Sequence, residues 1–208
     1  MSDSDPRTLR SWPHRVLAVF FSPGNLFEQL RRKPVWGGLA FLVVFLHVVA
    51  QTVEVMAVVR LLADADAIHP ISDRFGVIGA RGLMATGFIF ATAGFMFLVF
   101  ATVLGDNGRY EHYLSITVHA SLVPAIGSLL MSLLDSSLSF GSFLPFPDDG
   151  FLRVFLSHLH PFTLWAVVLA ALGVSKIQPG RSWWSALAVL VISWIVAANT
   201  PVLRILVW

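Results

Sequence analysis

The chain has 208 residues, 56% of them apolar and only 12% charged, with no cysteine and a net charge of +2. Soluble domains carry about 25% charged residues, so this chain lacks the groups to solvate a water-facing surface, and its mean hydropathy of +0.77 makes the bilayer its natural solvent. The missing cysteine excludes disulfides, thiolate nucleophiles and Cys-based metal centres. The cations group at membrane boundaries, which argues for membrane orientation rather than nucleic-acid binding.

The N-terminal segment, residues 1–34, reads as cytoplasmic and as a unit apart from residues 35–208. The apolar run "VLAVFF" after Arg15 is shorter than the roughly 7–15 residues of a signal h-region, and it ends at a turn, Ser22-Pro23-Gly24. No cleavable signal is expected. Residues 6–21 carry Leu9, Trp12, Val16 and Phe20 among arginines, an amphipathic pattern that Pro13 interrupts.

The next stretch, "SPGNLFEQLRRKPVW", predicts a helix over 22–33. Ser22 is placed to cap it and Pro23 suits its first position, where the missing amide proton costs nothing. Leu26, Phe27 and Leu30 share one face, and Arg31, Arg32 and Lys33 close the helix where cations suit both its dipole and anionic headgroups. Pro34 then breaks it, and Trp36 falls where interfacial aromatics concentrate. Phe27, Arg31, Arg32, Lys33 and Trp36 are therefore expected to face lipid or a partner.

Five apolar stretches follow, each near the roughly 20 residues that cross a hydrocarbon core: about Val35–Leu62, Val77–Leu104, Tyr113–Leu134, Phe155–Val174 and Trp183–Leu206. Their continuous apolarity fits helices and not the alternating strands of a barrel. The expected fold is an all-α bundle of five transmembrane helices preceded by an interfacial helix. With the N-terminus inside, Arg7, Arg10, Arg15, Arg31, Arg32, Lys33, Arg109, Lys176 and Arg181 lie in the cytoplasm. Arg60, Arg74, Arg81, Arg153 and Arg204 lie on the other side, which favours N-in and C-out.

Polar residues inside spans are expensive in lipid and should turn inward to partners. His47, Gln51 and Glu54 share one face of span one. Arg81 opens span two, His119 lies within span three and Asp135 ends it, His158 and His160 open span four, and Asn199 lies in span five. Glu54 with His47, His158 and His160 has the chemistry to hold a divalent metal or relay protons. The plainer reading is a structural network in which Arg81 neutralises Glu54 or Asp135. His158 and His160 point about 200° apart on a helix, so both reach one ion only if the helix starts later. Pro124 should kink span three, with Ser121 or Ser128 compensating.

Three segments in order carry a family likeness: "SPGNLFEQLRRKPVW", "GDNGRYEHYLSITVHASLVPAIGSLL" and "HPFTLWAVVLAALGVSKIQPGRSWWSALAVLVISW". Together they resemble the Yip (Ypt/Rab-interacting-protein) domain family in its bacterial branch, over roughly residues 20–200. The resemblance implies five spans with a cytoplasmic N-terminus. Eukaryotic members are implicated in Rab GTPase binding and Golgi and endoplasmic-reticulum traffic and carry an Asp-Leu-Tyr-Gly-Pro motif. That motif is absent here, so the implied home is a bacterial inner membrane.

Gly-x-Ser-x-Gly, a phosphate-binding glycine loop and His-Glu-x-x-His are all absent. No enzyme activity and no cofactor are expected. The favoured reading is a membrane-organising protein that binds lipid, a membrane-protein partner or a second copy of itself. The alternative is a small proton or divalent-cation channel built on the Glu54 and histidine cluster.

Overall fold

The computed structural model describes residues 11–63, 71–134 and 160–199, and the described residues are helical with no strand. The helices are α1 (Trp12–Phe21), α2 (Pro23–Arg32), α3 (Gly37–Ala63), α4 (Ile71–Met96), α5 (Tyr110–Leu134), α6 (Pro161–Ile177) and α7 (Trp183–Asn199). A π-helical stretch, Phe97–Val103, continues α4. The long connection between spans three and four lies outside the described residues.

Prolines set the N-terminal elements. Pro13 falls in the first turn of α1, so it starts that helix and does not interrupt it. Ser22 ends α1 by donating its N–H to Ala18 O and at once precedes α2, whose first residue is Pro23. The expected Ser22 side-chain cap does not form. Lys33 is extended at φ −143° and ψ 94°, the conformation that Pro34 requires of the residue before it.

α5 is the central helix. α3, α4 and α6 pack along it, α2 and α1 also touch it, and α7 packs on α6. It runs unbroken through Pro124 and buries small and polar residues, Ser115, Thr117, Ala120 and Gly127 among them, that let neighbouring backbones approach. Two glycines mark the closest crossings with α6. Gly127 lies against the Phe162 ring, and a Cβ on Gly173 would stand 2.8 Å from Ile116. The two contacts fix an antiparallel register. On the other side, Gly82 of α4 meets Val48 of α3 in the same way.

Among the described residues, two stretches are long and apolar enough to cross a membrane, Gly82–Val103 and Tyr110–Leu134. Gly37–Val53, Pro161–Ile177 and Trp183–Ser193 are shorter apolar helices. The start expected for span four and the end expected for span five lie outside the described residues. α3 and α4 turn Phe41, Phe45, Leu83, Phe88 and Leu98 outward, an apolar belt too large for an ordinary water-facing surface.

Candidate functional site

At one end of the bundle the loop Gly105–Arg109 meets the loop Gln178–Ser182 and the C-terminus of α2. Each loop turns on a glycine in the left-handed region, Gly105 at φ 72° and Gly180 at φ 93°, where a side chain would be strained. The π-helical turn leads into the first loop: Leu104 N–H donates to Val99 O, and Asp106 N–H to Phe100 O. That turn leaves Phe100 fully buried.

Asp106 and Arg181 close the two loops. Arg181 Nε donates to Asp106 Oδ2 at 3.1 Å and Nη2 to Oδ1 at 2.5 Å, a forked pair with the carboxylate buried. The guanidinium lies over Phe100, 5.4 Å from its centroid, and Phe100 stacks on Tyr113 at 6.4 Å and 12°. Gly108 sits against the Tyr113 ring, where a Cβ would come within 2.7 Å. Asn107 N–H donates to Gln178 Oε1 at 3.3 Å. The arrangement is a stack of loop, cation and two aromatic rings, with an open depression of about 550 Å³ beside it lined by Leu104, Asp106, Gln178, Arg181, Ser182 and Ser185 among others.

α2 is fastened to the same place. Leu26, Phe27 and Leu30 are buried against protein, chiefly α6. Arg31 Nη1 donates to Lys176 O at 3.4 Å. His112 supplies a second tie. Its Nδ1 accepts the Arg109 N–H at 3.0 Å, so Nε2 carries the proton and donates it to Arg31 O at 3.1 Å. The cations at the end of α2 remain at the surface: Arg31, Arg32 and Lys33 are all exposed, with Glu28 paired to Arg31 at 3.7 Å.

One expected outward-facing residue needs correction. Phe27 is 1% exposed and belongs to the core, because the apolar face of α2 is covered by helices and not by lipid. Trp36 is half-buried, edge-on to Phe90 of α4 at 6.0 Å. Arg31, Arg32 and Lys33 do face outward.

Only some of the intramembrane polar residues fall among the described side chains. His47 and Gln51 lie half-buried on α3. Glu54, Arg81 and Asn199 lie on α3, α4 and α7 with side chains outside the described set, and Asp135 and His158 fall outside the described residues altogether. His119 is buried in α5, its Nδ1–H donating to Ser115 O at 2.7 Å. His160 precedes α6, where its ring accepts the Phe162 N–H at 3.4 Å and stacks on Phe162. In the α5–α6 register, His160 lies roughly 15 Å along the axis from His119 at 1.5 Å per residue. These two histidines do not meet, and among the described residues no group of three His, Asp or Glu is placed to hold a metal. The Asp106–Arg181 pair was missed by sequence reasoning. The one available signal was a lone acid and a lone arginine, each beside a glycine in a polar loop.

The Yip1 domain family model matches residues 17–200. This chain belongs to the Yip1 domain family. The match spans α2, both loops and the Asp106–Arg181 pair. This Yip1-domain protein is also similar to the membrane protein YknW of Bacillus subtilis (strain 168), 27% identical over 204 residues that cover 83% of each chain. No solved structure is significantly similar to it. A Yip1-domain chain is a membrane protein.

Proposed function

We propose that this Yip1-domain protein is a non-enzymatic membrane-organising protein that binds a partner at the end of the bundle formed by α2 and the two polar loops. One observation carries the reading: α2 is buried on its apolar face and tied to the end of α6 by Arg31 and, through His112, to the first loop, yet holds Arg31, Arg32 and Lys33 exposed beside the loops. A rigid base under a cluster of solvated cations suits recognition of an acidic surface better than it suits catalysis. The protein crosses a bacterial inner membrane five times, with its N-terminus cytoplasmic and its C-terminus outside. The cation-rich loops support that orientation.

The test is copurification from native membranes after crosslinking. Neutralising Arg31, Arg32 and Lys33 together to Gln is expected to abolish recovery of the partner while leaving thermal unfolding in detergent unchanged, and Glu54→Gln is expected to leave both unchanged. Full partner recovery by the triple variant, or loss of recovery with Glu54→Gln alone, would overturn the reading.

A further inference from the structure

α1 and α2 are consecutive ten-residue helices with opposite relations to their surroundings. α2 turns its large apolar side chains inward. α1 buries Ala18 and Val19 and packs Val16 and Phe20 partly against the bundle, where α2 and α5 meet it, while Leu17 and Phe21 stay exposed. Pro13, Leu17 and Phe21 recur every fourth residue and so form one edge of the helix. Leu17 is 56% exposed and Phe21 84% exposed, the latter more than the outward-facing Phe88 at 66%. In water, such an edge would leave a leucine and a phenylalanine uncovered side by side.

Charge indicates the occupant. α1 contains no acidic residue, and its polar groups are His14 and Arg15. The chain continues through Ser22 into α2, which ends in exposed Arg31 and Arg32, with Lys33 directly after it. Apolar side chains flanked by cations, on a chain already embedded in a bilayer, match an anionic membrane surface with acyl chains beneath it. An acidic soluble protein would satisfy the cations but not Phe21.

We propose that α1 seats its Leu17–Phe21 edge in the acyl region of the surrounding bilayer, so that α1, and not α2, is the lipid-anchoring helix of the N-terminal segment. The inference rests on the membrane-spanning bundle with a cytoplasmic N-terminus given under Proposed function.

The chain has no cysteine, so a single label reports cleanly. Full-length Phe21→Cys carrying a bimane is reconstituted in phosphatidylglycerol–phosphatidylcholine vesicles and quenched either by spin-labelled lipid or by aqueous iodide. Phe88→Cys on α4 gives the lipid reference and Arg32→Cys the water reference. Lipid quenching at position 21 is expected to be comparable to that at 88 and several-fold above that at 32, with iodide in the reverse order. Iodide quenching at 21 as strong as at 32 overturns the proposal and marks the edge as a site for a soluble partner. Protection from both quenchers also overturns it, because a second copy of the chain then covers the edge. Unfolding curves check that the label is tolerated, and Leu17→Cys repeats the measurement at a second position. No partner protein is present in the vesicles, so this result and the copurification result can fail separately.

Discussion

Asp106 and Arg181 lie 75 residues apart in the chain and meet in a forked ion pair. Removing one partner leaves the other charge buried without its counterion, which costs about 3–5 kcal/mol. Asp106→Ala and Arg181→Ala are each expected to lower stability by that order in unfolding titrations, and the double variant by much less than the sum. Additive losses would mean that the pair does not act as a unit. Arg181→Lys should fall between, because an ammonium keeps the charge but loses both the fork and the flat contact with Phe100. Tyr113 runs the other way. Its ring is packed by Phe100 and Gly108, but among the described residues its buried hydroxyl has no hydrogen-bond partner. Tyr113→Phe is therefore expected to be neutral or to stabilise by about 1 kcal/mol, since an unmet buried hydroxyl carries a desolvation cost. A clear loss of stability would show that the hydroxyl is engaged.

At the scale of elements, α2 is a clamp. Its amphipathic pattern was plain in the sequence, with Leu26, Phe27 and Leu30 on one face and cations at the end. Periodicity says which face is apolar but not what covers it, and here α6 covers it where lipid was expected. Phe27→Ala is expected to cost about 3–5 kcal/mol, as large-to-small changes at buried aromatics do, and to expose the α1–α2 segment to limited proteolysis ahead of the bundle. Protease resistance equal to the wild type would argue that α2 is held by its polar ties alone. The prolines were more legible than the caps. Pro23 and Pro34 bound α2 through fixed backbone geometry, which any context preserves, whereas the Ser22 hydroxyl had a choice of partners and did not take the helical one.

At the scale of the whole molecule, the proposed orientation places the end of α2 and the Gly105–Arg109 loop on the same side of the membrane. Lys33→Cys and Arg109→Cys in the cysteine-free chain should both react with a membrane-impermeant maleimide only after cells are opened. Labelling of either in intact cells would break the N-in assignment. The antiparallel register of α5 and α6, fixed by Gly127 on Phe162 and Gly173 against Ile116, belongs to this scale too. Both glycines stood in the sequence as small residues, but which side chain each would admit depended on the docking of a second helix.

By itself, the sequence determined the solvent, the helical class and the bounds of α2. Those follow from composition, apolar run length and proline geometry, all local quantities. Only the tertiary structure decided that Asp106 and Arg181 pair, that His112 ties α2 to the loop beside it, and that the apolar edge left uncovered belongs to α1 and not α2. Each of these is a meeting of groups far apart in the chain or a competition for one covering surface. Local pattern carries no information about either, because burial depends on which neighbour arrives.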